Sequence, residues 1–180
     1  MNNNGYVTHE GCDHVFFVGF LGVGKSTLAR NLGRLYRRRY VDTDRLAERL
    51  LRKTVSECFR QDGEGRFRDA ETEVLRRLRD ERSLLVSCGG GIVEREENCR
   101  LMHEMGAVVF LRGSLQDSER QIQHPEKRPD WGSSGETRAL FEHRMPLYER
   151  TADYVVEITG KSFEQVAQKA GALLWEEGLL

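Results

Sequence analysis

Residues 15–27 read VFFVGFLGVGKST, an apolar run that passes into a glycine-rich turn. Within this stretch, Gly19 to Ser26 matches the pattern GxxxxGKS, and the apolar residues Leu28, Leu32 and Leu35 follow at helical spacing. A strand, a glycine-rich turn and a helix in this order bring backbone N–H groups and the positive end of a helix to one point. The stretch therefore predicts a phosphate-binding loop.

A loop of this pattern predicts a nucleoside triphosphate bound with Mg²⁺. Lys25 is expected to reach the β- and γ-phosphates, and the Ser26 hydroxyl to bind Mg²⁺. A GTPase would need a guanine-specifying NKxD-like segment, which the sequence lacks, and 180 residues leave no room for the machinery of a motor or a transporter. A small-molecule kinase that uses ATP remains. Its candidate nucleotide-binding residues are Gly22, Val23, Gly24, Lys25, Ser26 and Thr27.

Five short apolar runs, rich in β-branched residues, alternate with segments of helical period. This alternation predicts an α/β fold in which parallel strands are joined by crossover helices. The predicted strands are Val15–Val18, Tyr40–Val41 running into Asp42, Leu84–Ser87, Val108–Leu111 and Tyr154–Ile158. The length fits one domain, which we expect over residues 15–180, after a flexible polar tail over residues 1–14.

The composition is that of an ordinary globular protein with a net charge of −1, which gives no electrostatic reason to expect nucleic acid or an anionic membrane as a partner. No stretch approaches the ~20 apolar residues of a membrane span, and the first residues lack the apolar run of a signal peptide. The four cysteines form no CxxC pair and no His/Cys cluster with metal-binding spacing, so a zinc site is not expected. We expect a cytoplasmic protein with reduced thiols.

Two carboxylates, Asp42 and Asp44, end the second predicted strand. Ligands of open α/β sheets bind beyond the carboxyl ends of the strands. Side chains two apart on a strand point the same way. One carboxylate could then belong to the Mg²⁺ shell while the other faces the acceptor hydroxyl as orienting group or general base.

Six motifs occur in the order and approximate spacing of shikimate kinases, and the chain resembles that family from about Val15 to Leu174. Each motif alone is weak, but six in register are specific. They are Gly19–Ser26, the pair Asp42 and Asp44, Phe67–Glu71, Gly89–Gly91, Arg128-Pro129 and Arg144–Tyr148. The resemblance implies a three-layer P-loop kinase fold, with a five-stranded parallel sheet, helices on both faces and a mobile lid. It also implies ATP-dependent phosphorylation of the 3-hydroxyl of shikimate, a step of aromatic amino-acid biosynthesis, by an enzyme that we expect to be a monomer.

On the acceptor side, Asp44 resembles the aspartate that contacts the ring hydroxyls and is the usual candidate base. Arg68 and Arg144 resemble the pair that holds the shikimate carboxylate, and Glu71 resembles the acid that supports them. Gly89–Gly91 would bring backbone N–H groups and little bulk against the acceptor.

On the nucleotide side, Asp42 resembles the acid near Mg²⁺, and Arg120 is placed against adenine. The long polar stretch over residues 123–136 is expected to be the lid, with Arg128 as the arginine that closes over the transferring phosphoryl group. Asp130-Trp131 departs from the apolar residues that usually follow Arg-Pro in the family, which puts lid closure and rate in question.

Three other functions stay open at this point. A kinase of the same fold could act on gluconate or another hydroxy acid. The chain could also be a nucleotide-binding regulatory module without turnover, although intact Lys25, Ser26, Asp42 and Asp44 argue against it. A nucleic-acid module could use Arg37–Arg39, but this run lacks interleaved aromatic residues and is expected to be a solvated turn.

Overall fold

The structure is a computed structural model that describes residues 12–122 and 132–180. Five parallel strands form one sheet in the order β2-β3-β1-β4-β5, with helices around it. The α/β fold and the five predicted strands are confirmed, with ends that differ by at most two residues. The strands are β1 His14–Val18, β2 Tyr40–Asp42, β3 Leu85–Ser87, β4 Gly106–Arg112 and β5 Tyr154–Glu157.

Helices connect the strands along the described chain. They are α1 Lys25–Leu35, α2 Thr43–Leu51, α3 Val55–Gln61, α4 Glu64–Leu78, α5 Glu96–Met105, α6 Leu115–Gln121, α7 Ser134–Thr151 and α8 Phe163–Glu176, with a short 3-10 helix at Ile92–Glu94. Four of the described helices begin with capping boxes, including the two predicted ones, Thr54 with Glu57 and Ser162 with Gln165. In each box the hydroxyl and the side chain three residues on satisfy backbone N–H groups that the helix itself cannot. Within the described residues, no helix combines the length and the apolar character that a membrane crossing needs.

The core lies around the central strands. All five residues of β1 are buried, as are the first six of β4, because strands in the middle of a parallel sheet are covered on both faces. Leu28 and Leu32 of α1 pack into this core, whereas Leu35, at the end of the same predicted stripe, is 71% exposed. The four cysteines are buried free thiols.

The sheet starts earlier than the boundary predicted between tail and domain. His14 begins β1 and is fully buried, and Cys12 is buried as well. The His14 ring bonds the carbonyl oxygen of Leu78 at 2.9 Å and accepts from the amide of Leu84 at 3.1 Å, which fixes the start of the strand. The predicted tail thus includes residues of the sheet, and residues 1–11 lie outside the described residues.

The predicted lid also has a different end. Residues 134–136 belong to the first turn of α7, because Ser133 and Glu136 form a capping box. The sequence pattern Ser-x-x-Glu is that of a capping box, although the glycine and serine content of the stretch favours a loop. Residues 123–131, with Arg128, Pro129, Asp130 and Trp131, lie outside the described residues.

Candidate active site

The carboxyl ends of β1, β2 and β3 lie together at one edge of the sheet. Phe17 and Asp42 are both register partners of Ser87, so the loop after β1 and the ends of β2 and β3 meet. Beyond this edge the Gly19–Ser26 loop curls into the start of α1, and its three glycines all have positive φ. At Gly22 a Cβ would also come within 2.8 Å of the Ser118 carbonyl oxygen, so a larger residue could not follow this path.

Lys25 is the first residue of α1 and is only 8% exposed. Its ammonium donates hydrogen bonds of 2.7 Å to the Gly19 carbonyl oxygen and 2.8 Å to the Phe20 carbonyl oxygen. These bonds fold the side chain back over the loop. The positive charge therefore lies inside the curl of the loop, where the phosphate-binding prediction requires it.

Ser26 links the loop to the neighbouring strands. Its hydroxyl donates to Asp42 Oδ2 at 2.8 Å and lies 2.9 Å from Ser87 Oγ. Tyr40 also donates to Asp42 Oδ2, at 3.2 Å. Hydroxyl and carboxylate oxygens thus converge where the phosphate loop enters α1. Such oxygen ligands are the ones that Mg²⁺ prefers.

Asp42 and Asp44 lie on different elements, so the predicted common strand face is wrong. Asp42 is the last residue of β2 and caps α2 by accepting from the Arg45 amide, whereas Asp44 already lies in the first turn of that helix. The two carboxylates therefore do not share a strand face. A helix starts here because an Asp cap followed by an acid in the first turn favours it.

Asp44 instead lies against the glycine segment that follows β3. A Cβ on Gly89 would come within 2.1 Å of Asp44 Oδ1 and within 2.9 Å of Glu71 Oε1. The Gly89 amide donates to Thr43 Oγ1 at 2.9 Å, which ties this segment to the start of α2. Only a residue without a side chain leaves both carboxylates in these positions.

Arg68 of α4 is 6% exposed and is held by two carboxylates. Its Nη1 donates to Glu71 Oε2 at 2.6 Å, and its Nε and Nη2 donate to Glu64 Oε1 at 3.1 and 2.7 Å. A Cβ on Gly91 would lie 2.2 Å from Arg68 Nη1. The guanidinium is thus pressed against the backbone of the glycine segment.

Arg144 of α7 is 1% exposed and reaches the same segment at Gly90. Its Nη1 lies 3.5 Å from the position of a Cβ on Gly90. Its Nε donates to Glu94 Oε1 at 2.7 Å. Tyr148, one turn on, donates its hydroxyl proton to the Gly90 carbonyl oxygen, so α7 and the glycine segment are fastened together.

Two cavities lie at this site. One, of about 390 Å³, is lined by the phosphate loop with Asp42, Asp44, Gly89 and Gly90. The other, of about 660 Å³, is lined by Arg68, Arg144, Glu94 and residues around them. The predicted nucleotide loop thus shares a cavity with Gly89 and Gly90, and the two predicted arginines lie against Gly90 and Gly91.

The prediction also includes two arginines on the nucleotide side, Arg120 and Arg128. Arg120 is exposed on α6, whose Ser118 carbonyl oxygen approaches Gly22 of the phosphate loop. It therefore lies on an element that covers the loop, but no described contact tests its role. Arg128 lies outside the described residues.

Some residues of the site were not predicted. Ser87 could have been found, because a small polar residue at the carboxyl end of a strand beside the phosphate loop is typical of such sites. Thr43 and Glu94 gave no sequence signal, since their partners Gly89 and Arg144 are distant along the chain.

The sequence model of the shikimate kinase family matches residues 21–174. The shikimate kinase of Dictyoglomus turgidum is 34% identical over 155 residues, which cover 83% of this chain and 90% of that protein. The shikimate kinase of Cupriavidus pinatubonensis is 35% identical over 169 residues, which cover 92% of this chain and 86% of that protein.

Solved structures give the same result. Shikimate kinase from Acinetobacter baumannii in complex with shikimate superposes with a TM-score of 0.86 at 29% identity, covering 93% of this chain and 95% of that one. Shikimate kinase from Aquifex aeolicus superposes with a TM-score of 0.75 at 27% identity, covering 92% and 98% of the two chains.

Proposed function

This chain belongs to the shikimate kinase family, and we propose that it transfers the γ-phosphoryl group of ATP to the 3-hydroxyl of shikimate, giving ADP and shikimate 3-phosphate. The reaction is a step of aromatic amino-acid biosynthesis. One observation supports it above all others. Asp44, Arg68 and Arg144 converge on Gly89–Gly91 beside the phosphate loop, so a hydroxyl-binding carboxylate and two carboxylate-binding cations border one segment.

The nucleotide side consists of residues 22–27. Their backbone N–H groups and the start of α1 would hold the phosphates of ATP. Lys25 would exchange its bonds to the Gly19 and Phe20 carbonyl oxygens for the β- and γ-phosphates. Its charge, held within the loop, would stabilise the negative charge that spreads over the phosphoryl oxygens during transfer.

Ser26 and Asp42 are the residues that would hold Mg²⁺. Their oxygen atoms already lie 2.8 Å apart, and hard oxygen donors suit this ion. Mg²⁺ bound with ATP would neutralise part of the negative charge of the phosphates. Few protein ligands are needed for this, because Mg²⁺ keeps several waters and takes the rest of its shell from phosphates.

Asp44 would act on the acceptor hydroxyl. Its half-buried carboxylate beside Gly89 can accept a hydrogen bond from that hydroxyl and orient it toward the γ-phosphorus. A bond then forms between the hydroxyl oxygen and the γ-phosphorus, and the bond from that phosphorus to the β–γ bridging oxygen breaks. Asp44 is the candidate to receive the hydroxyl proton, and ADP leaves with the bridging oxygen.

Arg68 and Arg144 would hold the shikimate carboxylate. Guanidinium groups match a carboxylate with parallel hydrogen bonds, and burial strengthens such charged pairs. Closure of the segment that contains Arg128 would exclude water and bring a further positive charge to the phosphoryl group. Arg120 would lie against the adenine.

A monomeric state and a cytoplasmic location remain predictions from the sequence. Light scattering after gel filtration measures the mass in solution and therefore tests the monomeric state directly.

The function is tested by ADP release from ATP and Mg²⁺, coupled to a colour change, with shikimate, quinate and gluconate as separate acceptors. We expect a rate that depends on shikimate and is at least about tenfold lower with the other two, because each lost polar contact with a buried group costs a factor of this order. Faster release with gluconate would move the assignment to another hydroxy acid. ATP binding without stimulation by any acceptor would instead favour a regulatory module.

A further inference from the structure

One carboxylate, that of Glu94, connects two neighbouring residues of α7. Glu94 ends the 3-10 helix that follows the glycine segment. Its Oε1 accepts from Arg144 Nε at 2.7 Å, and its Oε2 lies 2.8 Å from His143 Nε2. Since the carboxylate can only accept, Nε2 of His143 carries the hydrogen in this contact.

The contact between Glu94 and Arg144 is shielded from water, whereas the contact between Glu94 and His143 is more exposed. The Glu94 side chain is 22% exposed, that of Arg144 is 1% exposed, and that of His143 is 58% exposed. Burial raises the pKa of Glu94, but hydrogen bonds from Arg144 and His143 together outweigh it and hold that pKa below its ordinary value. Glu94 is therefore an anion that both neighbours stabilise.

The atom that Glu94 binds determines how Arg144 is presented. A guanidinium has five N–H donors in one plane, and a bond to Nε fixes the direction of that plane. Arg68 is held differently, because its Nε, Nη1 and Nη2 all donate to Glu64 or Glu71. The hydrogen bond from Nε to Glu94 therefore fixes the orientation of the Arg144 guanidinium.

We propose that Glu94 is a positioning residue that sets the orientation of Arg144 for the acceptor carboxylate. This rests on the proposed function, since it assigns Arg144 to the acceptor carboxylate. Glu94 lines the cavity with the two arginines and not the one at the phosphate loop, so its effect is expected on acceptor binding.

Two variants separate position from charge. Glu94→Ala removes both bonds and is expected to raise the KM for shikimate roughly tenfold, with the KM for ATP unchanged and a smaller change in kcat. Glu94→Gln keeps an oxygen for Arg144 Nε and is expected to restore the KM to within about threefold of the unmodified enzyme.

Glu97→Ala is the matched control, because Glu97 is a half-buried acid that pairs with Arg76 and does not line the cavity. An unchanged KM for shikimate in Glu94→Ala would overturn the positioning role, as would an equal rise in the KM for ATP. If Glu94→Ala does not fold, a KM for shikimate in Glu94→Gln far above threefold overturns the proposal. Either result leaves the proposed function intact as long as the unmodified enzyme phosphorylates shikimate. An unmodified enzyme that is inactive on shikimate removes both the proposed function and the positioning role.

Discussion

The hydroxyl of Ser26, in the first turn of α1, donates a 2.8 Å hydrogen bond to Asp42 Oδ2 at the end of β2. The bond joins the phosphate loop to the neighbouring end of the sheet, and Ser87 Oγ lies 2.9 Å from the same hydroxyl. The proposed metal ligands are thus held together by the fold itself.

Ser26→Ala is expected to raise the Mg²⁺ concentration for half-maximal rate and to reduce kcat by about tenfold or more. The change removes one proposed ligand of the ion and leaves Asp42 in place, and a metal ion stabilises the transition state by several kcal/mol. Rate measurements over a Mg²⁺ titration at saturating ATP and shikimate test this. Ser87→Ala is the control, since Ser87 touches Ser26 but is not a proposed ligand. The same Mg²⁺ dependence in Ser26→Ala and the unmodified enzyme would remove Ser26 from the metal site.

Gly89→Ala is expected to lower kcat/KM for shikimate by roughly 100-fold while the KM for ATP stays nearly constant. The new methyl group would lie 2.1 Å from Asp44 Oδ1, so the carboxylate must move away from its proposed position at the acceptor hydroxyl. A displacement of this kind near the reacting atoms costs a factor of this order. Gly65→Ala, at an exposed position of α4 where a Cβ meets nothing within 4 Å, should leave both constants unchanged. Steady-state kinetics of both variants, with ATP and shikimate varied in turn, measure these constants. Unchanged kcat/KM for shikimate in Gly89→Ala would contradict the proposed position of Asp44.

Arg144→Ala is expected to raise the KM for shikimate by about 10- to 100-fold, because it loses a charged hydrogen bond of ~1.5 to 3 kcal/mol. Arg138→Ala, which removes an exposed arginine from the same helix, should change nothing. Circular dichroism checks that both variants fold, since Arg144 is buried. Unchanged shikimate kinetics in folded Arg144→Ala would exclude it from the carboxylate site.

Stability is expected to fall as pH falls through the range in which histidine titrates. Burial lowers the pKa of His14 below its ordinary value, although the bond to the Leu78 carbonyl oxygen opposes this. Below the ordinary value of 6.5 the unfolded chain takes up a proton that the native state resists, so the free energy of unfolding decreases. Protonation would also put a hydrogen on the ring nitrogen that accepts from the Leu84 amide.

Urea unfolding between pH 5.5 and 8 measures this dependence. His14→Gln should show a smaller change of unfolding free energy over that range. Equal pH dependence in His14→Gln and the unmodified chain would contradict the assignment to His14.

The strands and the phosphate loop were predictable because their signals are local. A β-branched run followed by GxxxxGKS needs no tertiary information to be read as a strand, a turn and a helix. The position of Asp44 was not predictable in this way. The strand pattern continued through Asp42-Thr43-Asp44, but capping by Asp42 starts α2 at Thr43, so Asp44 turns toward Gly89 instead of sharing a strand face with Asp42.

The placement of Arg68 and Arg144 came from the family resemblance, since a buried arginine and an exposed one look alike in a helical pattern. Their burial depends on carboxylates that the tertiary fold supplies, Glu71 for the first and Glu94 for the second. Glu71 lies three residues from Arg68 and could be found by helical spacing, whereas Glu94 is fifty residues from its partner.

The central claim is tested most directly by identifying the product that forms from ATP, Mg²⁺ and shikimate. Phosphorus NMR should show ADP and an equal amount of a new phosphate ester coupled to the proton on carbon 3 of shikimate. Lys25→Ala should yield neither, while Lys161→Ala, at an exposed site, should match the unmodified enzyme. Inorganic phosphate in place of the ester, or an ester at another hydroxyl, would contradict the account.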